Sequence, residues 1–152
     1  MSLQQRIADD LKTAMKARDR DAMSTLRMLV SALKNEAIAK GRGPQGELSD
    51  DEVLRVLAGE KKRRDEAATA FAEGGREEAA AREAAESAVI AAYLPEQLAD
   101  DELDAIVDAK VAEVGATSPK EMGQVIKAVM AEVGNRAEGG RVSAAVKARL
   151  VG

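Results

Sequence analysis

Histidine, cysteine and tryptophan are absent from this sequence of 152 residues, and Phe71 and Tyr93 are its only aromatic residues. Without cysteine there is no disulfide, thiolate nucleophile or sulfur metal site, and without histidine the usual proton shuttle near neutral pH is missing. The scarcity of rings argues against binding single-stranded nucleic acid by base stacking. Carboxylates could bind magnesium, but no pair stands out, so we predict no catalytic residue, no metal site and no cofactor.

Charged residues make up 33% of the chain, and the formal net charge is −4. This composition predicts a soluble protein and argues against bulk electrostatic attraction to nucleic acid or membrane. No signal peptide precedes the first amphipathic pattern, and no apolar run could span a bilayer. We therefore expect a cytoplasmic protein without a membrane partner. The glycine and serine motifs of nucleotide-binding and hydrolase folds are also missing.

Apolar residues recur at helical spacing along almost the whole chain, and no alternating strand pattern competes with them. Capping boxes that begin at Ser2 and Ser49 predict helix starts, and Gly74 and Pro95 predict helix ends. Four helices are expected before Pro95. The predicted fold is therefore all-α.

Three shorter amphipathic segments follow Pro95. Ser118, Pro119 and Glu121 combine a cap, a first-turn proline and a capping-box acid, which predicts the start of the second segment. We expect an N-terminal helical domain at residues 1–95, a bundle of about four helices, and a C-terminal three-helix domain at residues 96–152.

The loop at residues 134–141 is the one segment whose sequence suggests a binding site for a partner. Gly139 and Gly140 precede a helix start, where free backbone N–H groups favour an anion, and Arg136 and Arg141 could each fork onto phosphate oxygens. The alternative is a solvated turn whose glycines cap helices. The candidate tRNA- or phosphate-binding residues are Lys127, Asn135, Arg136, Gly139, Gly140, Arg141 and Lys147.

Three other features have structural explanations. Gly123 interrupts a helix, which favours close approach of a neighbouring helix over approach of a ligand. Glu60 and Arg64 interrupt an apolar stripe, and we interpret them as an ion pair at the rim of the bundle rather than as part of a basic ridge for RNA. Arg27 and Lys34, seven residues apart, are ordinary for a solvated helix face.

Several short segments, spread over essentially the whole chain, carry a resemblance to a known family. They include Gly134-Asn135-Arg136-Ala137 in the tail, and the others are residues 24–29, 33–35, 48–53, 93–98, 122–125 and 142–143. With these segments the chain resembles the YqeY-like family of small bacterial proteins. The C-terminal part of that family is similar to the tail domain of the B subunit of glutamine-dependent aminoacyl-tRNA amidotransferase.

The resemblance implies an all-helical, two-part fold whose tail unit helps to grip tRNA and performs no chemistry. Family members often carry a label of carbon–nitrogen ligase activity with glutamine as amide donor, but this chain matches neither the kinase-like nor the glutaminase portion of the large enzyme. The leading hypothesis is a non-catalytic module that binds tRNA or a tRNA-processing protein complex. The alternatives are a protein–protein adaptor that uses the charged helices at 50–92 and, third, an autonomous amidotransferase.

Overall fold

The structure, a computed structural model, describes residues 1–151, and these form seven α-helices and no strand. The all-α prediction is therefore correct. Short 3₁₀ turns at Pro119–Glu121 and Gly134–Arg136 precede and follow the sixth helix. The helices are α1 Leu3–Ala17, α2 Arg20–Ala39, α3 Asp50–Glu73, α4 Glu77–Ala91, α5 Asp100–Val114, α6 Met122–Val133 and α7 Gly139–Val151.

The chain divides into two compact units, Met1–Leu94 and Pro95–Gly152. The first contains α1–α4 and the second, the tail unit, contains α5–α7. Each unit has a hydrophobic cluster of its own. That the units act as separate functional domains stays a prediction.

The core of the first unit is aliphatic. Ile7 of α1, Leu29 of α2, Leu57 of α3 and Ile90 of α4 are each fully buried, and Leu48 adds to them from the loop between α2 and α3. Burying one such side chain stabilises a fold by about 1.5–3 kcal/mol relative to exposing it. Aliphatic side chains therefore hold the four helices together without a central aromatic ring.

Side chains cap three of the four helices of the first unit, and two of these caps, Ser2 and Ser49, are the predicted ones. Ser49 Oγ accepts a hydrogen bond from Glu52 N at 3.2 Å, and Glu52 Oε1 accepts one from Ser49 N at 2.9 Å, which completes a capping box. Ser2 Oγ accepts from Gln5 N at 3.1 Å, and Asp19 caps α2 from the tight turn after α1. These contacts satisfy N–H groups that a helix start otherwise leaves without partners.

The ion pair in α3 lies where this helix leaves the hydrophobic core, and its side chains are largely buried rather than solvated. The side chains of Glu60 and Arg64 are only 12% and 16% exposed, and Arg64 Nη1 donates to Glu60 Oε2 at 2.6 Å. Arg64 Nε also lies 3.5 Å from Glu86 Oε2 on α4. The sequence pattern of α3 alone could not predict this burial, because Glu86 belongs to another helix.

Beyond this ion pair, α3 and α4 extend past the hydrophobic core. The buried apolar residues of α3 are Val53 and Leu57 near its start, and that of α4 is Ile90 near its end. The alanine-rich stretch between them, residues 61–86, contains no residue of the hydrophobic cluster, and we call it the arm. It is a two-helix hairpin that turns at Gly74 and Gly75.

The tail unit packs three helices around valines, with Val107 of α5, Val129 of α6 and Val146 of α7 all buried. The predicted cap at Ser118 makes no side-chain hydrogen bond to the helix start. Glu121 Oε1 instead accepts from Thr117 N at 3.3 Å, and the 3₁₀ turn precedes α6.

Candidate functional site

The bend between α6 and α7 is a short 3₁₀ turn followed by an extended residue. Gly134 ends α6 with φ +56°, a backbone conformation that favours glycine, and Ala137 then buries its methyl group in the core of the tail unit. Gly134, Arg136 and the stretch at residues 138–140 are exposed. The bend is therefore held by its own core contact and still presents polar groups to solvent.

Two residues that follow Pro95 fix the bend from the start of the tail unit. Leu98 N donates to the carbonyl oxygen of Arg136 at 2.8 Å, and Gln97 Nε2 donates to that of Asn135 at 2.9 Å. These bonds leave the side chains of Arg136 and Asn135 uninvolved. This role of Gln97 was not predicted, and its place in the segment 93–98 is the one sequence signal that points to it.

Arg141 has a structural role in the tail unit. Its Nη2 donates to the carbonyl oxygen of Leu98 at 2.8 Å and to Asp100 Oδ1 at 3.0 Å, which ties the first turn of α7 to the start of α5. The side chain of Arg141 is 32% exposed. A guanidinium already held by a carbonyl and a carboxylate has less to offer a phosphate than a free one.

Arg136 extends over the end of its own helix, α6. Its Nε and Nη2 lie 3.4 Å and 3.3 Å from the carbonyl oxygens of Val133 and Glu132, which are long hydrogen bonds. A cation at this position also complements the negative end of the helix dipole. Because Arg136 is exposed and has no carboxylate partner among residues 1–151, its guanidinium is available to an incoming anion.

Lys127 on α6 and Lys147 on α7 are exposed, and neither forms an ion pair or hydrogen bond with any residue that the structure describes. Arg149, by contrast, donates to Asp108 Oδ1 at 2.7 Å. Lys127, Arg136 and Lys147 are therefore the candidate cations without a carboxylate partner in the described part of the tail unit, and we call them the free tail cations.

The N-terminus of α7 already has a carboxylate beside it. Gly139 and Gly140 are exposed, but Glu138 Oε1 lies 3.2 Å from the point where a Cβ on Gly140 would stand. The negative charge of Glu138 repels a phosphate that approaches the amides of this first turn, and this repulsion disfavours phosphate binding there. Binding there would require the side chain of Glu138 to move aside.

Gly123 faces solvent near the start of α6. No side chain or neighbouring helix lies within 4 Å of the position that its Cβ would occupy, so the expectation that a neighbouring helix packs against it is wrong. An exposed glycine inside a helix lowers the stability of the helix by about 1 kcal/mol relative to alanine, and here no packing contact within the chain offsets that loss.

Lys110 is engaged by carboxylates. Its Nζ lies 3.1 Å from Glu113 Oε2 and 3.8 Å from Glu132 Oε1. The hydrogen bond to Glu113, with the charge of Glu132, raises the pKa of Lys110. This lysine belongs to the framework between α5 and α6 and is not one of the free tail cations.

Among residues 1–151, no group of three or more acidic side chains is placed to hold a metal ion. None of the helices described in the same range is long and apolar enough to cross a bilayer.

The family model for YqeY-like proteins matches residues 4–150. The chain belongs to the YqeY-like family. No curated protein matches it in sequence. Several residues in the segments that carried the resemblance have structural roles in this YqeY-like protein: Ser49 and Glu52 cap α3, and Gln97 and Leu98 fix the bend.

Proposed function

We propose that this YqeY-like protein is a non-catalytic, cytoplasmic module that binds tRNA, or a protein complex that processes tRNA, through phosphates. Three observations support the proposal: family membership, the exposed bend with its free tail cations, and the resemblance of the tail unit to the amidotransferase tail. The exposure of Arg136 on a bend whose backbone is fixed from residues 97 and 98 carries most weight.

The chemistry of this binding is electrostatic. Lys127, Arg136 and Lys147 each offer a charge without a carboxylate partner in the described chain, while Arg141 keeps the bend in place. Contacts of this kind bind nucleic acid without reading base sequence, and the affinity falls as salt displaces them. No residue is assigned to amide transfer, so the carbon–nitrogen ligase label of the family is not transferred to this chain.

The test is tRNA binding by the double variant Arg136→Gln/Lys147→Gln, called the tail pair. The matched control is Arg82→Gln/Lys120→Gln, which removes two exposed cations outside the proposed surface. Removing two phosphate contacts should make the slope of log K against log salt shallower by about 2. If the tail pair binds like the control across the salt range, the assigned surface is wrong.

Glu138 provides a second test in the opposite direction. Replacing Glu138 by Gln removes the like charge beside the first turn of α7, so tRNA affinity should rise if the amides near Gly140 take part. An unchanged affinity in Glu138→Gln would remove Gly139 and Gly140 from the site and leave only the three cations.

The arm favours a second candidate function, that of a protein–protein adaptor. Its exposed residues are mostly charged, and small alanines such as Ala81 and Ala85 are exposed between them, beyond the core of the first unit. A partner helix can approach such a surface closely. The test is a protein complex that survives ribonuclease treatment and is lost in Ala81→Glu/Ala85→Glu, which should leave the fold intact because both positions are exposed.

A further inference from the structure

The outer face of α2 is a stripe of cations and hydroxyl groups. Arg20, Ser24, Arg27, Ser31 and Lys34 follow one another at intervals of three or four residues, and all five are exposed. With a rise of 1.5 Å per residue, the three cations stand about 10 Å apart along a line of about 21 Å. We call these five residues the α2 stripe.

The cations of the α2 stripe are not neutralised within the described chain. Arg20, Arg27 and Lys34 form no ion pair with residues 1–151, and no acidic residue occupies a position of the stripe. Glu36, which is on another side of α2, lies 3.7 Å from Lys40. The tail unit differs in this respect, because Asp100 and Asp108 neutralise two of its cations.

The local charge of this part of the chain is opposite to that of the whole. Residues 1–46, which contain α1 and α2, carry nine basic and five acidic side chains, whereas residues 47–152 carry fourteen basic and twenty-two acidic ones. An overall charge of −4 therefore conceals a basic segment. Local fields of this kind steer polyanions even when the net charge of the protein is negative.

The stripe borders an open groove between α2 and α3. Ser31, Asn35 and Glu36 line this groove from α2, and Arg55, Glu60 and Arg63 line it from α3, around a volume of about 680 Å³. Arg55 is exposed and has no carboxylate partner among residues 1–151. The hydroxyl of Ser31, the amide of Asn35 and the guanidinium of Arg55 can donate to phosphate oxygens. The two carboxylates of the groove already have cationic partners, Glu36 in Lys40 and Glu60 in Arg63 and Arg64.

We infer that the α2 stripe is a second phosphate-binding surface of this protein and holds the backbone of a structured RNA. The inference rests on the proposed tRNA function and adds to it a site in the first unit. A linear run of cations with interleaved hydroxyls matches a chain of phosphates, because each contact is independent of base identity.

An anionic membrane surface is the other polyanion that a basic helix could meet. An interfacial helix inserts an apolar face into lipid. The apolar face of α2 is occupied, since Leu26, Leu29 and Leu33 are buried in the core of the first unit. Ile38 is the large apolar residue left exposed on this helix, at 52%. The structure therefore favours RNA over lipid.

The experiment measures the binding of tRNA to the full chain at several salt concentrations. The test variant is Arg27→Gln/Lys34→Gln, the α2 pair, and Arg82→Gln/Lys120→Gln is again the control with equal change of charge. Glutamine retains helix propensity close to that of arginine and lysine, so circular dichroism and the melting temperature should be unchanged. The α2 pair should make the salt slope shallower by about 2, because two phosphate contacts are lost.

Rescue distinguishes charge from a structural role of the same side chains. Arg27→Lys/Lys34→Arg keeps both charges and should restore at least most of the affinity. A charge-preserving variant that binds as weakly as the α2 pair overturns the inference.

The remaining outcomes separate this inference from the proposed function. If the tail pair weakens binding and the α2 pair matches the control, the α2 stripe is not a site and the proposed function stands. If the unmodified chain does not bind tRNA even at low salt, both fall. If vesicles rich in phosphatidylserine bind the chain as tightly as tRNA does, and the α2 pair abolishes that binding, the surface is a lipid site and the RNA assignment is wrong.

Discussion

Removing the guanidinium of Arg64 should destabilise the first unit far more than removing that of its neighbour Arg63. In Arg64→Ala, the carboxylate of Glu60 stays in a site where its side chain is 12% exposed and loses its 2.6 Å hydrogen bond to Arg64. Breaking a buried ion pair costs about 3–5 kcal/mol when the remaining charge has no partner. Glu60 keeps its contact with Arg63, so the expected loss is smaller, about 2 kcal/mol, in the range of a hydrogen bond to a charged group.

The matched control is Arg63→Ala. Arg63 contacts the same carboxylate, but its side chain is 64% exposed, so its removal should cost less than about 1 kcal/mol. The double variant Glu60→Leu/Arg64→Leu removes both charges, and its cost should lie well below that of Arg64→Ala, because no buried charge is left unpaired.

Urea unfolding followed by the fluorescence of Tyr93 measures these differences. Tyr93 is the single tyrosine of the chain and lies in the first unit, where its hydroxyl donates to Asp10 Oδ2 at 2.5 Å. With a slope of about 2 kcal/mol per molar urea, Arg64→Ala should lower the midpoint by about 1 M. Equal midpoints for Arg64→Ala and Arg63→Ala would refute the view that burial makes this pair important.

Three further predictions concern single groups. Gly123→Ala should raise the stability of the tail unit by about 1 kcal/mol in thermal unfolding, because the added methyl group meets no side chain or neighbouring helix, and an unchanged or lower stability would contradict the open geometry. Glu52 has its pKa lowered to about 2 by hydrogen bonds from Arg42 and Ser49, so its contribution to stability is present at neutral pH and is lost as the pH falls from 4.5 toward 2. Arg42→Ala should flatten that part of the curve of melting temperature against pH, and an identical acid limb would count against the assignment. Arg141→Gln should lower the melting temperature of the tail unit, by about 1 kcal/mol of stability, and leave the salt slope of tRNA binding unchanged, whereas a shallower slope would make Arg141 a phosphate ligand after all.

Local signals predicted the helices well. The capping box at Ser49 and the stops at Gly74 and Pro95 depend on contacts within a few residues, so the sequence contains all the information that they need. The start of α6 was less predictable, because Thr117 rather than Ser118 receives the carboxylate of Glu121.

Features that depend on contacts with a second helix could not be predicted from the sequence. The periodicity of α3 contains no information on the approach of Glu86 of α4 to Arg64, so the depth of burial of this pair was not predictable. In the same way Gly123 has no neighbouring helix beside it, although glycine inside a helix usually marks close packing. The engagement of Arg141 by Asp100 depends on the packing of α7 against the start of α5, forty-one residues away in the chain.

The candidate site was only partly predictable for the same reason. Exposure of Lys127, Arg136 and Lys147 agrees with the charge pattern, since each lies off an apolar stripe. A cation of the tail unit remains without a carboxylate partner only when no acidic side chain of another helix lies beside it. The sequence alone does not show which acidic and basic side chains form pairs. The α2 stripe also has a local signal, the spacing of Arg27 and Lys34, but the absence of a neutralising partner becomes visible only in the folded chain.

The salt dependence of tRNA binding by the unmodified chain tests the central claim most directly, that this protein holds RNA by its phosphates. With three free tail cations engaged, the plot of log K against log salt should have a slope of about −3 or steeper between about 50 and 200 mM salt. Binding that is absent at the lowest salt, or that stays constant over this range, would contradict the account.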